Sequence, residues 1–167
     1  GVQTCALPIS TTNQKPKQLS FDEQSEILHG AQSNINYNTK ELPVDSIHKK
    51  IDLSNFKPTW STEQQSSFIK SLLLGIPTQF SIFTRNDHNQ VIVLDGKNRV
   101  HAIQQFINDN LVFCDNDFLL EFNGLSYSQL SASIKRKLLE KTIRTTDFAN
   151  KSVPLVAKTL GITHDTN

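Results

Sequence analysis

The residues Asp95-Gly96-Lys97-Asn98-Arg99 combine a carboxylate, two cations and an amide around a single glycine. Glycine lets the backbone turn tightly and approach a ligand closely, and the N–H groups at the start of a following helix favour an anion. In such a turn Lys97 and Arg99 offset phosphate charge. Asp95 could hold a metal ion or a water, and Asn98 could orient a polar group. An ordinary strand-to-helix connection, with Asp95 as the helix cap and both cations in solvent, explains the same residues.

The flanking sequence predicts that this loop joins a strand to a helix. Two short β-prone runs, Phe80 to Thr84 and Gln90 to Leu94, surround a polar tip and predict a β-hairpin. The second run is almost continuously apolar, so we expect it to be a central strand of the sheet. After the loop, apolar residues at helical spacing predict a helix that ends near Asn110, with a core stripe formed by Val100, Ile103, Phe106 and Ile107.

Further elements are predicted on both sides. Ser61 with Gln64 forms a capping-box pattern at the start of a helix that runs to Leu74 and is ended by Gly75 and Pro77. The remaining predictions are short helices at Phe21 to His29 and Val44 to Lys50, strands within Asn34 to Leu42, Leu111 to Phe113 and Phe118 to Phe122, and an amphipathic helix from Tyr127 to Lys141. Together they predict one α+β domain.

Composition excludes several classes of protein. The chain has 167 residues and a net charge of +1, which suits one domain without a global attraction to polyanions. Its two cysteines give no disulfide framework, and its five histidines show no metal-ligand spacing. No apolar run approaches the roughly 18 residues of a membrane span, and no signal peptide opens the chain. We therefore expect a cytoplasmic protein that does not enter a membrane.

The ends of the chain differ from its middle. Residues 1–9 match the translation of a common sequencing adapter, and the chain contains no methionine, so we expect a fragment whose native N-terminus is missing. Residues 10–33 are polar and predict a flexible lead-in that contains the short helix. The domain is expected over residues 34–148, followed by a C-terminal extension, 149–167, with an open end.

Three motifs occur in a recognisable order: a tryptophan before a capped helix that ends in Gly-Ile-Pro, a hairpin, and the Asp-Gly-x-x-Arg loop. This order resembles the N-terminal domain of GmrSD-type DNA restriction systems, which shows W-S-x-E-Q, L-L-G-I-P, I-D-G-Q-Q-R and F-x-N elements. The resemblance covers roughly Ile35 to Ile143. The matching residues are Trp60, Ser61, Glu63, Gln64, Ile69, Ser71, Leu73, Gly75, Pro77, Asp95, Gly96, Arg99, Phe106 and Asn108.

The resemblance implies a ParB/sulfiredoxin-like fold, a small mixed sheet flanked by helices, that binds and hydrolyses a nucleoside triphosphate with Mg²⁺. It implies Asp95 and Arg99 as catalytic residues and Asp95 as the metal ligand. The implied nucleotide-binding residues are Gly96, Lys97, Asn98, Trp60 and Gln64. Partners would be DNA and a nuclease domain or subunit outside this chain, in modification-dependent restriction that defends against phage.

Departures from the family pattern leave an alternative open. Lys97 and Asn98 replace the two glutamines of the family loop, and Lys57 is the only cation shortly before Trp60, where an arginine is usual. No histidine-rich nuclease region follows. The alternative is a non-catalytic nucleotide- or DNA-binding regulatory module related to ParB-like domains.

Some of the implied residues also have ordinary explanations. Trp60 could stack on a base or serve as a core residue beside the helix start, and Gln64 could belong to a solvated helix face. From Ser133 to Lys151, six basic residues against two acids could contact DNA phosphates or simply be solvated.

Overall fold

The computed structural model describes residues 17–79, 81–114 and 119–162, which divide into two compact units between Ser33 and Asn34. The first unit contains one described helix, α1 (Phe21–Ser33), which has no buried residue. The second unit contains β1 (Tyr37–Pro43), α2 (Val44–Lys50), α3 (Thr62–Leu74), β2 (Ser81–Arg85), β3 (Val91–Asp95), α4 (Lys97–Ile107), α5 (Ala132–Glu140), β4 (Thr142–Phe148) and α6 (Val153–Leu160). The α+β class is therefore confirmed.

The sheet is small and mixed, with the strand order β1-β4-β2-β3. β4 pairs antiparallel with β1 and parallel with β2, whereas β2 and β3 form the antiparallel hairpin predicted from the sequence. β3 lies at an edge, so the prediction of a central strand was wrong. Val93 and Leu94 are both buried although only one edge of the strand is paired. An apolar run indicates that the side chains of a strand are buried, but it does not indicate whether both edges of that strand are paired.

The core lies between the helices and one face of the sheet. Its largest fully buried side chains include Phe106, Phe113, Ile69 and Ile103, and the rings of Phe106 and Phe113 lie 4.7 Å apart. The predicted stripe on α4 is confirmed, because Val100, Ile103 and Phe106 are buried and Ile107 packs against them. Burial of this stripe anchors α4, and with it the loop that precedes the helix.

The region after α4 was predicted less well. In place of two strands the structure has one isolated bridge, Val112 to Ser126, and a 3₁₀ turn at Leu120–Phe122. Residues 115–118, where part of the second strand was predicted, lie outside the described residues, as does Phe80. The predicted helix from Tyr127 is broken into a 3₁₀ turn, Tyr127–Gln129, and α5, because Ser131 caps a new helix start.

Two elements had no sequence prediction. β4 buries Ile143 and the polar Thr145, whose hydroxyl donates to the backbone oxygen of Lys40 at 3.3 Å. This polar composition hid the strand from a search for apolar alternation. α6 follows Phe148 and buries Val153 and Val156. Within the described residues, no helix is long and apolar enough to cross a membrane.

Candidate functional site

The loop between β3 and α4 is built around Gly96. Its φ of +98° lies in the left-handed region that favours glycine. A Cβ at this position would lie 2.5 Å from Ser81 Oγ and 3.1 Å from an Arg99 terminal nitrogen, so a side chain has no room. Gly96 therefore allows β2, the loop and the first turn of α4 to meet closely.

The start of α4 has no side-chain cap. Arg99 and Val100 donate their backbone N–H groups to the oxygen of Gly96, but no hydrogen bond from the N–H of Lys97 or Asn98 is found among the described residues. The first turn also contains no acidic residue. Unpaired N–H groups and the positive end of the helix dipole make this helix start favourable for an anion. The alternative in which Asp95 caps the helix is wrong.

Two charged side chains flank this helix start without an internal partner. Asp95 ends β3 and is exposed, and Lys97 is half-buried at the first position of α4. Neither side chain makes a hydrogen bond or ion pair with any described residue. A carboxylate and a cation are thus both available to a ligand at the loop.

Asn98, by contrast, is used internally. Its Oδ1 accepts hydrogen bonds from the backbone N–H groups of Thr59 and Trp60, at 3.0 and 3.3 Å, and its Nδ2 donates to Thr59 Oγ1 at 2.8 Å. Both ends of the amide therefore hold the segment before α3 against the start of α4. This role differs from the direct nucleotide contact that the family resemblance implies for Asn98.

Arg99 is also engaged with the protein. One terminal nitrogen donates to Ser81 Oγ at 3.0 Å and to the backbone oxygen of Gln79 at 3.3 Å, and the other donates to Gln79 Oε1 at 3.2 Å. Ser81 is buried, so this end of the contact is shielded from water. The guanidinium is therefore held in place directly behind Gly96.

The two remaining predicted residues lie at the start of α3. Gln64 Oε1 accepts from the Ser61 N–H, while Ser61 Oγ accepts from the Gln64 N–H, which confirms the predicted capping box. Trp60 is half-buried, with its ring 5.6 Å from that of Phe68 in an edge-to-face contact. Gln65 Nε2 also donates to the Trp60 backbone oxygen at 3.2 Å. Gln64 and Trp60 thus shape the segment that Asn98 holds.

A cleft of about 520 Å³ opens beside the loop. It is lined by residues 52–57, residues 91–93 and Lys97. Lys57 shares this lining with Lys97, so two cations face one cavity. The backbone N–H of Ser54 donates to Asp52 Oδ1 at 2.9 Å and holds the pKa of this carboxyl below its usual value. Another cleft of about 520 Å³, which includes Asn36 and Asp147, contains none of the predicted site residues.

Sequence reasoning missed the partners that position the loop. Thr59, Gln79 and Ser81 are ordinary polar residues with no motif, and Asn98 contacts Thr59 across 39 positions of the chain. Only the nearness of Gln79 and Ser81 to the predicted hairpin could have drawn attention to them. Phe56 and Asp52, which line the cleft, follow α2 in a segment that carries no periodic signal.

The metal-binding potential of the site is modest. Across residues 17–79, 81–114 and 119–162, no group of three histidine, cysteine, aspartate or glutamate side chains could hold a metal ion. Asp95 alone offers an unpaired carboxylate at the loop. Mg²⁺ is commonly bound by one or two carboxylates together with substrate phosphates and water, so this donor set fits a nucleotide-bound Mg²⁺ but not a metal held by protein alone.

Comparisons of the chain with protein-family models, with curated proteins and with solved structures gave no match.

Proposed function

We propose that the second unit binds and hydrolyses a nucleoside triphosphate at the start of α4, as the nucleotide-handling domain of a GmrSD-like, modification-dependent DNA restriction system. The observation that carries this proposal is the uncapped start of α4 between the unpaired side chains of Asp95 and Lys97. A cleft large enough for a small ligand adjoins it.

The phosphates would accept hydrogen bonds from the N–H groups of Lys97 and Asn98, and the Lys97 ammonium would offset their charge. Hydrogen bonds that involve a charged group contribute about 1.5–3 kcal/mol each. Arg99 adds a positive charge from a fixed position, because Ser81 and Gln79 already hold its guanidinium. A charge that needs no reorganisation is well suited to stabilise charge that develops on a transferring phosphoryl group.

Asp95 would serve in either of two ways at this helix start. It would be the protein ligand of a Mg²⁺ ion, which neutralises phosphate charge when bound with the nucleotide. Alternatively it would accept a hydrogen bond from the attacking water and so orient it. Both roles need a carboxylate that is open to a ligand, and Asp95 is exposed and has no partner among the described residues.

A second candidate is a regulatory module that binds a nucleotide without turnover. The specific observation in its favour is that the Asn98 amide is occupied by Thr59 and Trp60. A side chain held in this way is not available to orient a water or a phosphate.

Phosphate release from nucleoside triphosphates with Mg²⁺ separates the two candidates. For hydrolysis, we expect Asp95→Asn to lower turnover at least about 100-fold, the lower end of what removing one catalytic group costs. Glu26→Gln, which removes an exposed carboxylate from α1, should leave turnover unchanged. Nucleotide binding without phosphate release in the wild type would support the regulatory module. The absence of both would contradict the proposal.

The restriction role adds DNA and a nuclease domain or subunit as proposed partners. Several cations of the basic stretch are tied to acids or to the backbone: Arg144 lies 3.4 Å from Glu41, and Lys135 donates to the Ser128 oxygen at 2.7 Å. Lys137 is exposed on α5 and has no recorded partner among the described residues. DNA contact along this stretch would therefore depend on such unpaired cations.

A further inference from the structure

The outer edge of β3 presents unpaired backbone groups. The hairpin turn fixes which groups these are, because Asn86 donates its N–H to the Gln90 oxygen at 3.0 Å and so begins the alternation of hydrogen-bonded and non-hydrogen-bonded pairs. Ile92 then belongs to a hydrogen-bonded pair with β2, whereas Val91 and Val93 do not. The N–H and C=O of both valines consequently point away from β2.

These groups lie along the cleft beside the loop. Residues 91–93 and residues 52–57 both line it. No hydrogen bond from outside the sheet to Val91 or Val93 is recorded for the described residues. Val91 is half-buried and therefore offers one donor beside one acceptor to whatever enters the cleft, whereas Val93 is only 2% exposed and is closed to it.

The segment 52–57 supplies the cleft with an aromatic ring and a cation. Phe56 is half-buried, and its ring lies 5.8 Å from that of His101 in an edge-to-face contact that helps to fix its position. Lys57 follows Phe56 in the same segment. Lys97, at the uncapped start of α4, also lines the cleft. A planar, polar-edged ligand with a negative charge at one end matches this arrangement.

We propose that this cleft binds the base of the nucleotide, with the backbone of Val91 reading its donor–acceptor edge and Phe56 packing against its ring. The inference rests on the proposed function, because it takes the phosphates to lie at the start of α4. Val91 and Gly96 are five residues apart, a span of at most about 17 Å at the rise of a strand. The ribose and the phosphates of the nucleotide would bridge that distance.

The contribution of the β3 edge to nucleotide binding can be tested by removing a single backbone N–H group. Proline lacks this donor and is tolerated on edge strands where the N–H does not bind the neighbouring strand. Val91→Pro should therefore weaken nucleotide binding about 3- to 10-fold, as expected for one lost hydrogen bond. Val91→Ala keeps the N–H and loses the side chain, so it is the matched control. Its affinity should be within about 2-fold of the wild type, a smaller change than that expected for Val91→Pro. Equal binding by both variants would overturn the proposal.

Backbone amide shifts of the full chain distinguish failure of this inference from failure of the proposed function. Unphosphorylated nucleosides should shift the amide signal of Val91, and inorganic triphosphate should shift those of Lys97 and Asn98. Triphosphate shifts at Lys97, with no response of Val91 to nucleosides or nucleoside triphosphates, would overturn the base site alone. No response at either place would overturn the phosphate site as well.

Discussion

Gly96 determines the geometry of the loop through both its backbone angle and its lack of a side chain. We predict that Gly96→Ala destabilises the fold by more than the roughly 1–3 kcal/mol expected for backbone strain at positive φ alone. The added methyl group would also have to displace the buried Ser81 hydroxyl, from which it would lie 2.5 Å. Urea unfolding of the variant and the wild type measures the loss.

Gly124 provides the control for that measurement. It too has a positive φ, +82°, but a Cβ there would meet no atom within 4 Å. Gly124→Ala should therefore lose only the contribution of backbone strain, roughly 1–3 kcal/mol. Equal losses at Gly96 and Gly124 would show that contact with Ser81 adds nothing.

His101, which contacts Phe56 of the cleft, should make the stability of the fold depend on pH. Burial lowers the pKa of its imidazole below the ordinary histidine value of about 6.5. The unfolded chain therefore takes up a proton first on acidification, and the stability present above about pH 6.5 is lost as the pH falls towards the lower pKa of the folded state. Comparing unfolding at pH 7 and pH 5 should show a smaller decrease for His101→Gln than for the wild type. An identical decrease in both proteins would contradict this.

At the scale of elements, Asn98 joins the segment before α3 to the start of α4. We predict that Asn98→Ala releases Thr59 and Trp60, because two backbone N–H groups lose their acceptor. The expected loss of stability is about 1 kcal/mol, since the contacts are partly exposed. Trp60 is the only tryptophan of the chain, so its fluorescence should shift towards that of a more solvated ring.

Asn98→Asp is the matched variant for this contact. Its carboxylate keeps an acceptor for both N–H groups, and the Thr59 hydroxyl can donate to the second oxygen. Its fluorescence should therefore remain close to that of the wild type. A shift as large as that of Asn98→Ala would mean that the acceptor does not hold the segment.

The elements that could be predicted are those with strong local signals. α3 has a capping box at Ser61 and a left-handed Gly75 at its end, and α4 has a continuous apolar stripe. β4 had no such signal because it buries threonine where a search expects valine or isoleucine. The position of β3 at the edge depends on pairing between β2 and β4, which are distant in sequence. Local patterns do not encode such long-range pairing.

Across the whole molecule, the sequence predicted the loop between β3 and α4, but it did not show which of its side chains are bonded within the protein. Asp95 and Lys97 remain available to a ligand, whereas Asn98 and Arg99 position neighbouring segments. That difference arises from contacts across 39 and 18 positions, which no local motif contains. The cleft was likewise unpredictable, because its walls come from the segment after α2 and the outer edge of β3.

Phosphate binding at the start of α4 can be measured by calorimetric titration with a nucleoside triphosphate and Mg²⁺. Lys97→Gln should raise the dissociation constant at least about tenfold, as expected for the loss of one charged hydrogen bond. Lys137→Gln, which removes an exposed cation of α5, should change it by less than about twofold, as expected for a screened surface charge. Equal affinities of the wild type and Lys97→Gln would show that no phosphate binds beside Lys97.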